Sequence, residues 1–145
     1  MAIPAVTTAA KTTHPPEGAM PLRNEQDIVM SRQMVRKLTQ QMGFSLVDQT
    51  KLITAASELS RNAVVYGGGG EMRWCVVTQS VRTGLRLAFE DKGPGIADVD
   101  LALTDGWTSG TGMGVGLSGS KRLVNEFEIR TAPGQGTCVT IMRWK

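Results

Sequence analysis

Leu85-Arg-Leu-Ala-Phe-Glu-Asp-Lys-Gly-Pro-Gly95 is the stretch on which the fold turns. Leu85, Leu87, Phe89 and Asp91 share one parity, while Arg86, Ala88 and Glu90 take the other. A strand sends successive side chains to opposite faces, so a strand here carries the Asp91 carboxylate onto the apolar face of a sheet. Burying even a neutral polar group without a partner costs about 2–7 kcal/mol, so something must satisfy Asp91. The alternative is that the strand stops at Glu90 and Asp91 opens a turn. Lys92-Gly-Pro-Gly-Ile96 follows, a rigid turn that brings bare backbone beside the carboxylate. An acceptor on a pocket floor with close-lying backbone suits an amino-bearing heterocycle.

The same alternation extends outward. Residues 72–78 also read with a period of two and are expected to pair antiparallel with residues 85–91, joined near Arg82-Thr83-Gly84. Upstream the period is helical. One helix starts at Asn24, with Asp27 three residues on, and carries Ile28, Val35, Leu38 and Met42 to a cap at Gly43. A second opens at Ser45, with Asp48 three residues later, and sets Leu52, Ala55, Ala56, Leu59 and Ala63 on its inner side before stopping at a capping Gly67. Downstream, residues 97–103 suggest a short helix, 104–114 a small, polar loop, and 115–125 another helix. Strands over Glu126–Thr131 and Thr137–Trp144 close the chain around Pro133-Gly-Gln-Gly136. Helices first and hairpins later predict an α/β two-layer sandwich, helices on one face of a mixed, largely antiparallel sheet, not a doubly wound parallel fold.

Composition bounds the rest. At 145 residues the chain fits one domain. Its 17 glycines exclude collagen, having no three-residue period, and an apolar share of 41% excludes wholesale disorder. A net charge of +3 tolerates an anionic ligand, but the cations are scattered, so no nucleic acid is expected as partner. No apolar run reaches membrane-spanning length and the N-terminus lacks a signal-peptide pattern, so no membrane association and a cytoplasmic location are expected. Cys75 and Cys138 are spaced for neither a metal nor a disulfide framework. Residues 1–19, with Pro4, Pro15 and Pro16 and the single histidine His14, are taken as a flexible tail, leaving 20–145 as the domain.

Two further places break the packing pattern. Glu58 and Asn62 lie four residues apart, hence on one face of the second helix, close to residues that should meet the sheet. Such a pair can simply face solvent; an acid and an amide at this spacing can also set a proton acceptor beside a metal ion. The other is Gly110-Thr-Gly-Met-Gly-Val-Gly-Leu117, entering a helix. Alternating glycines let successive N–H groups turn inward, and a helix N-terminus adds positive charge, together an anion cradle. Gly114-Val-Gly-Leu-Ser-Gly119 formally matches a dinucleotide fingerprint, yet the required strand before it and further βαβ units are missing. A Walker loop is excluded because no Gly-Lys-Ser/Thr follows the glycines.

Taken in order, the three elements resemble the Bergerat-fold (GHKL) ATPase/kinase superfamily of gyrase, heat-shock protein 90, histidine kinases and MutL. Glu58-Leu-Ser-Arg-Asn62 looks like its N box, Asp91-Lys-Gly-Pro-Gly95 like its first glycine box, and residues 110–116 like its second. Within it the chain is most similar to the small anti-sigma and switch-protein serine kinases, the RsbT-like branch. Ser57-Glu-Leu-Ser-Arg-Asn-Ala-Val-Val-Tyr66, Arg122-Leu-Val-Asn-Glu-Phe127 and Gly136-Thr-Cys-Val-Thr-Ile141 carry that similarity. It spans roughly residues 20–145.

The resemblance implies that ATP and Mg²⁺ are the cofactors. Asp91 would accept the adenine amino group with Thr137 assisting, Asn62 would bind Mg²⁺, and Glu58 would be the catalytic base. Gly93, Gly95 and Ile96 would meet the nucleotide, as would Thr108, Gly110, Thr111, Gly112, Met113, Gly114, Val115, Gly116 and Leu117 in and beside the lid. Thr111, Met113 and the four-glycine turn after Tyr66 depart from the usual pattern of relatives, and none of these removes a catalytic group. The implied activity is a protein serine/threonine kinase of a partner-switching or stressosome-type module. Its substrate would be a STAS-domain antagonist, and a phosphatase or other downstream regulator its second partner. The alternative is an anti-sigma factor that binds ATP and sequesters a sigma factor. A histidine kinase fragment is disfavoured because His14 lies in the tail, and a degenerate scaffold because Glu58, Asn62 and Asp91 are all present.

Overall fold

The computed structural model describes residues 17–104 and 116–145. Its elements run β1 (Glu17–Leu22), α1 (Glu25–Met42), α2 (Leu46–Val65), β2 (Gly70–Gln79), β3 (Arg82–Asp91), α3 (Val99–Ala102), α4 (Gly116–Arg122), β4 (Glu126–Thr131) and β5 (Thr137–Trp144). The strands form one sheet in the order β1-β2-β3-β5-β4. All four pairings are antiparallel, so the sheet is antiparallel throughout among the described residues.

Both long helices start where their caps dictate. The Asn24 side chain accepts from the Asp27 amide and that of Ser45 from the Asp48 amide, each satisfying one of the free donors of a first turn. At Gly43 the chain turns left-handed (φ 80°) and its N–H returns to the Gln40 carbonyl, ending α1 where a side chain would strain the backbone. α2 lays Leu52, Ala55, Ala56, Leu59 and Ala63 on the sheet, all buried. The three alanines keep that face low, which lets the helix lie close over Leu85, Leu87 and Phe89 of β3 and Ile141 of β5. α1 packs along α2, where the buried hydroxyls of Ser31 and Ser60 meet at 2.9 Å.

Several boundaries differ from the sequence expectation. β1 begins at Glu17, inside the stretch assigned to the tail, because pairing with β2 orders it; only Leu22 of its six residues is fully buried, so the local pattern is weak. The β2–β3 turn lies at Ser80-Val81, before the expected Arg82-Thr83-Gly84, which instead joins the ladder from Gln79↔Arg82 onward. α3 and α4 are shorter than expected, α3 being capped by Asp98. Gly67 is no left-handed cap: α2 runs to Val65 with Tyr66 as its C-cap, and the positive φ angles fall at Gly68 and Gly69.

Candidate functional site

The site grows from the end of β3. The parity of Leu85, Leu87 and Phe89 continues to Asp91, and the ladder sets Asp91 opposite Thr137 on β5 and Gly70 on β2. The carboxylate is half-buried beneath the C-terminal half of α2. The Gly93 amide donates to its Oδ1 at 2.9 Å, so the glycine turn folds back on the side chain that precedes it. Loss of hydration pushes the Asp91 carboxyl up from the ordinary aspartate value; hydrogen bonds from the Gly93 and Thr137 backbone draw it partly back, and Glu90 adds repulsion.

Bare backbone surrounds this carboxylate because nothing larger fits. A Cβ on Gly67 would collide with the Asp91 carboxyl carbon, and one on Gly93 would come within 2.7 Å of the Gly67 Cα. A Cβ on Gly70 would strike the Glu90 carbonyl. The run of glycines after α2 therefore has a packing account: Gly67 and Gly70 admit Asp91 and its strand, while Gly68 and Gly69 turn the chain between them. Across the turn, Gly95 faces the Ala132 carbonyl and the Pro94 carbonyl accepts from Gly134, clasping the glycine turn to the β4–β5 turn.

Above Asp91 opens a cavity of about 400 Å³, large enough for a purine nucleoside. Asp91 and Thr137 form part of its floor, Phe89 and Val139 its apolar side, and Ile96 and Leu117 lie against it from the glycine turn and α4. Asn62 lines it from α2, and its Nδ2 is buried with no hydrogen-bond partner in the described structure. A buried amide without a partner is costly unless a ligand meets it.

The structure brings Asn62, Asp91, Gly95, Ile96, Leu117 and Thr137 together around one cavity. Gly93 sits beneath it, bonded to Asp91, and Gly116 is buried at the start of α4. Glu58 is half-buried one helical turn before Asn62 and does not line the cavity. Thr108, Gly110, Thr111, Gly112, Met113, Gly114 and Val115 lie outside the described residues. Sequence reading missed Thr131. Its hydroxyl accepts from the Ile96 amide at 2.9 Å, donates to the Gly136 carbonyl at 2.8 Å and lies 2.9 Å from the Thr137 hydroxyl. The signal was available in part, since Thr131 and Thr137 are the two residues that open and close the last turn.

An antiparallel sheet under two long helices, with a carboxylate and an amide facing one apolar cavity, is the architecture of an ATPase of the GHKL class. Residues 47–145 match the family described as histidine kinase-, DNA gyrase B-, and HSP90-like ATPase, and the chain belongs to it. Its relatives include a serine/threonine-protein kinase and anti-sigma factors. The chain is 39% identical over 123 residues to the serine/threonine-protein kinase RsbT of Bacillus subtilis, an alignment covering 85% of this chain and 92% of that one. It is 29% identical over 119 residues to the anti-sigma F factor of Pasteuria penetrans, covering 78% and 79% respectively. A crystal structure of the RsbU and RsbW domains of a Mycobacterium tuberculosis protein superposes with a TM-score of 0.61 at 17% identity and 88% coverage, a likeness of fold. This chain corresponds to 33% of that longer one.

Proposed function

We propose that the protein is an ATP-dependent protein serine/threonine kinase of a partner-switching module. The observation that carries this reading is the 39% identity to a serine/threonine-protein kinase over nearly the whole of both chains. The cavity supplies chemistry that agrees with it. Asp91 accepts the exocyclic amino group of adenine, and Thr137 adds a second contact to the base edge. Phe89, Ile96 and Val139 give the flat base apolar walls.

The donor set also agrees with Mg²⁺. Mg²⁺ on a nucleotide takes few protein ligands and keeps phosphate oxygens and waters. Asn62, which lines the cavity, is the residue that would hold it, through its side-chain oxygen and not the Nδ2 donor; when bound, the ion offsets phosphate charge. Glu58, half-exposed beside Asn62, can meet a hydroxyl brought by another protein and take its proton as the phosphoryl group transfers. The acceptor hydroxyl belongs, in this reading, to a STAS-domain antagonist, and release from it frees the kinase for a downstream regulator in the cytoplasm.

A second reading, an anti-sigma factor that binds ATP and sequesters a sigma factor, is favoured by the 29% identity to anti-sigma F factor. One experiment separates them. The protein is incubated with labelled ATP, Mg²⁺ and STAS-domain proteins, beside Glu58→Ala and Asp91→Asn. Phosphate appears on the STAS protein with wild type; Glu58→Ala binds ATP but transfers at least about 100-fold more slowly, a base's usual share. Tight binding of a sigma factor with no transfer to any STAS protein would replace the first reading with the second.

A further inference from the structure

Thr131 lies on β4, its Cα opposite that of Thr137, and its hydroxyl touches three groups at once. Two of these have fixed polarity: the Ile96 N–H can only donate and the Gly136 carbonyl can only accept. A threonine hydroxyl has one hydrogen and two lone pairs. One lone pair takes the Ile96 hydrogen, and the hydroxyl hydrogen goes to Gly136, 2.8 Å away. Only the second lone pair then remains for Thr137, so Thr137 must be the donor across their 2.9 Å contact. The reverse assignment would press the lone pairs of Thr131 and Gly136 together at hydrogen-bond distance. With its hydrogen directed to Thr131, Thr137 turns only lone pairs toward the cavity that it and Asp91 both line.

We propose that Thr131 is a positioning residue that sets base specificity: by holding the Thr137 hydrogen, it makes the cavity floor an acceptor-only surface of Thr137 and Asp91, selecting purines with a 6-amino group over those with a 6-oxo group. The proposal rests on the reading of this cavity as a nucleotide site. A 6-amino group donates to such a floor, whereas a 6-oxo group meets lone pairs with lone pairs. Without the Thr131 hydroxyl, the Thr137 hydrogen is free to rotate into the cavity and donate to a carbonyl.

The test compares binding of ATP and inosine triphosphate, whose 6-oxo group is accompanied by an N1–H where adenine N1 is bare, by calorimetry with Mg²⁺ present. Because both nucleotides are the same for every protein variant, the reading is the change of their affinity ratio with residue 131. Wild type prefers ATP. Thr131→Val, of similar shape, lowers the ratio of the two affinities by about five-fold, the size of one net hydrogen bond. Thr131→Ser, which keeps the hydroxyl, restores it. Thr137→Val lowers the ratio too, and adding Thr131→Val to it changes the ratio no further. A general weakening of the fold would reduce both affinities together and leave the ratio unchanged. An unchanged ratio in Thr131→Val, a ratio in Thr131→Ser as low as in the valine variant, or full additivity in the double variant would overturn the role of Thr131 alone. If wild type binds neither nucleotide, the nucleotide reading itself fails.

Discussion

Asp91 is held in a place that costs the empty protein something. Burial raises its carboxyl, so the folded chain binds the proton more tightly than the unfolded one. For a raised acid the sign is definite: stability is greatest below the ordinary aspartate value and falls as pH rises toward and through the raised value. Asp91→Asn removes that term. The unliganded variant should melt above wild type at pH 7, with the gain shrinking as pH falls toward about 4 and absent below it. The same change should abolish ATP binding, because an amide presents a donor as well as an acceptor. An Asp91→Asn protein that melts below wild type at pH 7 would show that the carboxylate stabilises the empty fold. Gly67→Ala probes the same residue from outside. Its methyl has no room beside the Asp91 carboxyl carbon, so this single carbon should weaken ATP binding at least about ten-fold through displacement of Asp91. Titration of nucleotide into the alanine variant checks it.

At the scale of elements, an ion pair between residues far apart in sequence ties the layers together. Arg143 near the end of β5 donates to Asp48 in the first turn of α2 at 2.6 Å and to the Leu123 carbonyl at 2.9 Å. The Arg143 hydrogen bond, ahead of all other influences, holds the Asp48 carboxyl below the usual aspartate range. Stability from a depressed acid is present above its unfolded value and is lost as pH falls through the folded one. Asp48→Asn should therefore cost about 1 kcal/mol at pH 7, discounted for partial exposure, and close to nothing in strong acid. Urea unfolding at both pH values measures the difference. This pair was not legible in the sequence, although both helix caps flanking it were. Caps are decided by residues three apart; a contact between the ends of two layers depends on the register of the whole sheet. β1 was lost for the same reason. Gly18, Pro21 and alternating exposure give a weak local signal, and the strand exists because Glu17–Leu22 finds β2. Asp91 was legible because one strand's parity is enough to turn it inward. The burial of the Asn62 amide and the Thr131 relay required the assembled cavity.

For the whole molecule, a ligand that binds only the folded chain raises its stability by mass action, about 2.7 kcal/mol at a hundred-fold excess over Kd. That links the separate residues to one measurable property. The cavity joins α2, the glycine turn, α4 and β5, so a nucleotide seated there bridges elements that are remote in sequence. Unfolding the protein must then break the nucleotide's contacts with all of them at once. With excess ATP and Mg²⁺ the melting temperature of wild type should rise by several degrees. Asp91→Asn should show no rise if Asp91 holds the adenine amino group as proposed. Glu58→Ala should rise as wild type does, since Glu58 stands outside the cavity wall, while its phosphate transfer collapses. The dissociation of the two readouts is the informative result. If Glu58→Ala lost the thermal shift along with transfer, Glu58 would belong to nucleotide binding and the proton would need another acceptor. Thermal melts of the three proteins, with and without nucleotide, decide between a residue that holds ATP and one that acts on the incoming hydroxyl.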